Sequence, residues 1–476
     1  MPKVSYDTFS PIPRYVNLRK YKKYSKINTT NTYLKPLQNI ISHFIYFFVF
    51  CAMYFTNLLF SAIYYILTCR LEVLSMQETI ERPEYINQLI NLREKQLIKV
   101  VTGIRRCGKS TLFDLYCHYL MHNGVSENQI IRLNLEDPDY HDIKDYMQLY
   151  QFIKQQLAPD HMNYIFIDEV QNVPEFQKAV DGLFIVKNCD VYITGSNAFL
   201  LSGELATLLS GRYVEIKMLP LSFKEYLSAF DEKTDLIIKY QSYIQNGSFP
   251  YILNLNSRQE IRSYLEGVYT SVVLKNIVAR CRISDVSMLD SVIRYMFDNI
   301  GNLCSSTKIS NTMTSAGRKI SVHTIETYLT ALVDSFILYK ANRYDVKGKQ
   351  HLATGAKYYL SDIGLRYYLL GTKQADVGHI LENIVYLELL RRGFEVHIGK
   401  INQAEVDFIA IGSQGAEYYQ VAYTVIDADG STLERELSPL DAIRDHNPKY
   451  LLTMDFTPLT SHNGIKQINV LDWLLR

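Results

Sequence analysis

Apolar and polar positions alternate in several distinct rhythms along this chain, and the rhythm changes mark its parts. Between Lys35 and Arg70 no residue carries a formal charge, and Ile40 to Leu67 (IISHFIYFFVFCAMYFTNLLFSAIYYIL) is apolar enough for a bilayer span, which takes about 20 residues. From Met76 onward the pattern is that of a folded α/β protein. MQETIERPEYINQLINLREK reads as an amphipathic helix, and LIKVV is a short β-branched strand. STLFDLYCHYLMHNG returns to helical spacing and stops at Gly124. Two further apolar runs, NYIFIDEVQ and VYITGSN, read as buried strands that end in polar residues. Past Ser287 the helical period dominates, through SMLDSVIRYMFDNIG and then SVHTIETYLTALVDSFILYK. In the second of these, Ile325, Leu329, Leu332, Val333, Phe336 and Ile337 form a core stripe, with Ser321 as its cap.

Charge complicates the first segment. Eight basic residues (Lys3, Arg14, Arg19, Lys20, Lys22, Lys23, Lys26 and Lys35) precede the apolar run against Asp7 alone, while Arg70 is followed by Glu72, Glu78 and Glu81. The positive-inside rule would keep the N-terminus in the cytoplasm and export the rest of the chain. Two readings of residues 1–75 stand side by side. One is a membrane anchor at 40–67, giving a membrane-associated protein; the other is a translated prefix ahead of a working start at Met76, giving a cytoplasmic one.

Composition adds little beyond this. A net charge of +1 on 476 residues announces neither nucleic acid nor a cation store, so any partner must be read locally. Seven scattered cysteines (51, 69, 107, 117, 189, 281 and 304) form no C-x-x-C pair, which suits reduced thiols rather than a disulfide frame or a zinc knuckle.

The chemistry concentrates in VVTGIRRCGKSTLF. Its G-x-x-x-x-G-K-S spacing lies between a strand and a helix, the setting that a phosphate loop requires. Residues Gly103, Ile104, Arg105, Arg106, Cys107, Gly108, Lys109, Ser110 and Thr111 are therefore expected to cradle ATP. The two glycines let backbone N–H groups curl round the phosphates, Lys109 meets the terminal charges, and Ser110 supplies a hydroxyl to Mg²⁺. Asp168 is expected to complete the metal shell and Glu169 to activate the attacking water. Ser196 and Asn197 end the third strand at the edge of the sheet where ligands bind. A structural alternative for Glu169 is a carboxylate tied to an arginine or to Asn134; Asn134 itself either holds Glu169 away from the nucleotide or is a polar strand residue satisfied elsewhere.

With GIRRCGKS, IDEVQ, TGSN and then SGRYVEIKMLPLSFKEYL on one chain, the sequence resembles the prokaryotic AAA-superfamily ATPases that carry the C-terminal domain of unknown function 4143, from about Met76 to the end. The resemblance implies an AAA-type P-loop NTPase core with a parallel sheet (76–221) and a helical lid (222–284). Three helices and a β ribbon suggest a winged-helix domain (285–370), and a degenerate restriction-endonuclease-like α/β domain (371–476) would follow. It also places Arg212 where an arginine finger reaches a neighbour's γ-phosphate, which implies a homo-oligomer; an intrachain salt bridge is the alternative.

In the winged-helix reading, His323, Thr324 and the lysines of the Lys347-Gly348-Lys349 turn contact DNA, whereas a protein-docking module fits the same pattern. In the nuclease-like reading, Glu382, Glu405 and Asp407 mark the positions that hold Mg²⁺, but Gln420-Val421-Ala422 stands where a carboxylate-x-lysine belongs. Strand cleavage is therefore not expected, and Glu405 and Asp407 are either residual metal ligands or a solvated strand end. The expected activity is ATP hydrolysis used to remodel, or load onto, a nucleic-acid or protein partner. The alternative is a slow nucleotide-dependent assembly switch.

Overall fold

The structure is a computed structural model, and it describes residues 79–198, 209–230, 235–348, 350–371, 377–456 and 460–476. The 40–67 segment, Met76 and Lys349 lie outside the described residues. Among the described residues no helix is long and apolar enough to cross a membrane. The body from Ile80 to Arg476 forms one compact unit.

Its first half is built on strands β1 (Ile98–Thr102), β2 (Ile130–Asn134), β3 (Asn163–Asp168), β4 (Cys189–Gly195) and β5 (Tyr213–Lys217). They form one five-stranded sheet in the order β2-β3-β4-β1-β5, parallel throughout. Parallel strands are covered on both faces, which explains the unbroken burial of IKVVT and NYIFID. The period of two sorts their side chains. Val100, Ile165, Ile167 and Ile193 enter one core, while Val101, Tyr164, Phe166 and Tyr192 enter the other. Lys99 is the exception in β1. Its ammonium is buried, and it is held by the Asp190 carboxylate and by the Lys95 carbonyl at 2.9 Å.

Helix α1 (Pro83–Leu92) precedes β1, α2 (Lys109–His122) follows it, and α3 (Tyr146–Lys154) and α4 (Phe176–Ile185) cover the other face. After β5 come α5 (Phe223–Leu227), α6 (Leu236–Asn246) and α7 (Arg258–Thr270). Ser222 starts α5 with a reciprocal cap in which it accepts from the Glu225 N–H, and Glu225 accepts from the Ser222 N–H.

The second half runs α8 (Val286–Asp298), α9 (Ser306–Ser315) and α10 (Val322–Asp334), then a hairpin of β6 (Leu338–Asp345) and β7 (Gln350–Leu360). Ser321 caps α10 as expected, and Ile325, Leu329 and Leu332 are buried. Helices α11 (Ile363–Leu370) and α12 (Val377–Arg391) lead to β8 (Glu395–Ile401), β9 (Ala404–Gly412) and β10 (Gly415–Ala422). The chain closes with α13 (Ser431–Asp441), β11 (Lys449–Thr453), β12 (Thr460–His462), β13 (Ile465–Asn469) and α14 (Val470–Leu475), in which Trp473 is buried. The hairpin is no free wing. It forms the edge of an eight-stranded sheet, β12-β13-β11-β10-β9-β8-β6-β7, so the boundary expected near residue 370 crosses a continuous sheet.

Candidate nucleotide site

Parallel register brings the C-terminal ends of β1, β3 and β4 to one edge, with Thr102 beside Gly195 and Ile167 beside Ile193. Asp168 and Thr194 therefore stand next to the loop that leaves β1. Gly103 has no alternative there, because a Cβ would lie 2.1 Å from the Met218 carbonyl oxygen. Gly108 sits in the left-handed region at φ 104° and opens α2, whose N-terminus points its unpaired N–H groups at the loop.

Within this loop the side chains divide. Ile104 and Cys107 are fully buried in the core, so they can serve an anion only through their backbones. Burial pushes the Cys107 thiol up. Arg105 pairs with Glu136, while Arg106, Ser110 and Thr111 are exposed. The Lys109 ammonium is buried, donates to the Gly103 carbonyl at 3.0 Å and lies 3.8 Å from Glu169 Oε1.

The two carboxylates behave differently. Asp168 accepts from the Ser110 hydroxyl on one oxygen and from the Thr194 hydroxyl on the other, and burial raises its pKa. Ser110 and Asp168 thus present two hard oxygen donors side by side, a pair that suits Mg²⁺. Glu169 adopts the left-handed region at φ 51°, its N–H donates to Thr194 Oγ1 at 3.0 Å, and its Oε2 accepts from Ser196 Oγ at 3.0 Å and from the Gln171 amide. A non-glycine residue held in that conformation is strained, and its surroundings fix where the carboxylate points.

Not every expected residue lies where the sequence suggested. Asn134 does not reach Glu169; its side-chain oxygen accepts from the Glu136 N–H at 3.0 Å, an ordinary turn contact at the end of β2. Asn197 is buried next to the site. Arg212 lies at the opposite, N-terminal edge of the sheet, where its carbonyl accepts from the Ile98 N–H. Its guanidinium pairs with Asp181 and stacks over Phe184, with the side chain 45% exposed.

Three residues were missed. Thr194 and Gln171 lie inside the TGSN and IDEVQ neighbourhoods, and the polarity of Thr194 at a buried strand end was the available signal. Arg82 carried none. Its guanidinium bridges Glu225 at 2.6 Å, the Leu219 carbonyl at 2.8 Å and the Cys107 carbonyl at 3.3 Å, tying the phosphate loop to α5.

Residues 95–227 match the model of an AAA domain, and residues 237–376 match a domain of unknown function, DUF8612, rather than the domain 4143 that the motifs resemble. An uncharacterized protein of Haemophilus influenzae is 42% identical over 401 residues, which is 83% of this chain and 99% of that one. One from Methanocaldococcus jannaschii is 30% identical over 393 residues, 78% of this chain and 85% of that one. Among solved structures, the Walker-type ATPase of Pyrococcus abyssi is 14% identical, covering 62% of this chain and 97% of that chain at a TM-score of 0.45. AMPPCP-bound DnaA from Aquifex aeolicus is 11% identical, covering 52% and 86% at a TM-score of 0.27. Likeness at these scores carries no argument about activity. With its phosphate loop inside an AAA domain and 42% identity across nearly all of the Haemophilus influenzae protein, the chain belongs to the same family as that protein, as an AAA-type nucleotide-binding ATPase.

Proposed function

We propose that the protein hydrolyses ATP with Mg²⁺ and uses the cycle to remodel, or load onto, a nucleic-acid or protein partner held by its C-terminal half. The observation that carries the reading is the convergence of Lys109, Ser110, Asp168, Thr194 and Glu169 at one sheet edge. When bound, Mg²⁺ neutralises phosphate charge, and Ser110 and Asp168 would hold it. The loop N–H groups and Lys109 bind the phosphates. Glu169 orients the water and accepts its proton, and Thr194 holds the Asp168 carboxylate and the Glu169 backbone N–H from behind.

Arg212 is assigned to a neighbouring subunit's nucleotide. Its place at the far edge of the sheet prevents it from serving its own, and a half-exposed pair with Asp181 costs little to open. Helices α8–α10 followed by the β6–β7 hairpin have the order of a winged helix, and His323 is exposed on the first turn of α10. The last segment is read as a nuclease-like platform that binds without cutting.

A second reading, a slow nucleotide switch, is favoured by the engagement of Glu169, whose oxygens already meet Lys109, Ser196 and Gln171. Steady-state turnover with and without duplex and single-stranded DNA, or a candidate protein partner, separates the two. Partner-stimulated multiple turnover supports the remodeller, and a single slow event per assembly cycle supports the switch.

A further inference from the structure

A restriction-endonuclease core uses its clustered acidic oxygens to hold a divalent ion, and the sequence placed Glu382, Glu405 and Asp407 in that role. The fold does bring them together, from α12 and β9. A lysine also arrives, though not from β10. Lys357 of β7 puts its Nζ 2.8 Å from Glu382 Oε1, 2.8 Å from Glu405 Oε1 and 3.8 Å from Asp407 Oδ1. Its side chain is 6% exposed, that of Glu382 8% and that of Asp407 14%, so these charges face one another with little water between them, while Glu405 borders the solvent.

Glu382 and Asp407 have further partners. Glu382 Oε1 also accepts from the Tyr359 hydroxyl at 2.6 Å, and its Oε2 lies 3.4 Å from His379 Nδ1. Asp407 Oδ2 accepts from the Val421 N–H at 2.9 Å. Gln420, the residue standing where a carboxylate belongs, accepts from the Asp407 N–H at 3.3 Å and donates to Glu436 at 2.9 Å.

We infer that the ammonium of Lys357 is the resident cation of this cluster, occupying the place of the divalent ion and fastening the β6–β7 hairpin to α12 and β9. A divalent ion within the usual 2.0–2.6 Å or so of the same oxygens would sit roughly 4 Å from a fixed positive charge, in surroundings that screen poorly. The residues therefore do not fit a metal. They form a charged joint between the β6–β7 hairpin and the α12 and β9 part of the same sheet and its cover, independent of nucleotide hydrolysis.

Manganese titration of the full-length, nucleotide-free protein, followed by electron paramagnetic resonance and by melting temperature, tests it. In the natural protein no Mn²⁺ site should disappear on Asp407→Asn. Lys357→Ala should lower the melting temperature, and Mn²⁺ should restore part of the loss, with a new bound-Mn²⁺ signal that Asp407→Asn removes. A natural protein that binds Mn²⁺ through Asp407 would overturn the inference. So would a folded Lys357→Ala protein with neither a lower melting temperature nor a gained site. Should Lys357→Ala fail to fold, the natural-protein titration with Asp407→Asn still decides.

Discussion

Arg82→Met isolates the contact that joins the phosphate loop to α5. The Arg82 and Glu225 side chains are 4% and 9% exposed, so their pair is barely screened by solvent. Removing one partner from a buried pair costs about 3–5 kcal/mol. The low end applies here, because Glu225 keeps the Ser222 N–H at 2.7 Å as a partner for its charge. At an unfolding entropy of about 2.1 cal/mol/K per residue, about 3 kcal/mol corresponds to a melting temperature lower by roughly 4 °C for the compact unit from Ile80 to Arg476. The double variant Arg82→Met with Glu225→Gln removes the stranded charge and should recover half or more of that loss. The single variant should also bind nucleotide more weakly, since the Cys107 carbonyl loses its donor. Thermal unfolding with and without ATP measures both effects. A single variant within about 1 kcal/mol of the natural protein, the range of exposed pairs, would refute the reasoning.

Other consequences are narrower. Thr194→Val leaves the Glu169 N–H without its partner, so it should destabilise the fold by about 1–3 kcal/mol and lower turnover more than nucleotide affinity. Equal losses of turnover and affinity would deny Thr194 its positioning role. Arg212→Ala breaks a half-exposed pair and should cost under about 1 kcal/mol in stability, while turnover falls by on the order of 10³-fold or more. Mixing Arg212→Ala subunits with Lys109→Ala subunits should recover some activity, and complete failure to complement would argue against a finger acting between subunits. The Cys117 thiol is pushed up to about 12 by burial, so at pH 8 it should resist maleimide until the protein unfolds. Rapid labelling in the native state would contradict the packing of α2.

The convergence of the candidate site residues was legible because they are nearly contiguous: one loop and the last residues of two strands carry them, and parallel register aligns those ends. Residues whose partners lie far along the chain were not. Arg82 meets Glu225 across a separation of 143 positions, and nothing local marks either residue as half of a pair. Asn134 took the plainer of its two readings, a polar strand end satisfied locally. It neighbours Asp168 in register, yet its side chain satisfies the turn it begins, which a polar strand end does as readily as it reaches a neighbouring carboxylate. No lysine stands on β10, where motif spacing sought one, whereas Lys357 reaches Glu382 and Glu405 from β7, a strand that the sequence assigned to a separate domain. Spacing rules see one chain segment at a time, and sheet edges recruit from elsewhere.

The central claim is that Glu169 activates water at a working ATPase site. Steady-state ATP turnover by the full-length protein, set beside Glu169→Gln with nucleotide binding measured in parallel, tests it directly. The account predicts that Glu169→Gln binds ATP as tightly as the natural protein and loses about 10²-fold or more in turnover. A Glu169→Gln protein that hydrolyses ATP at the natural rate would contradict it.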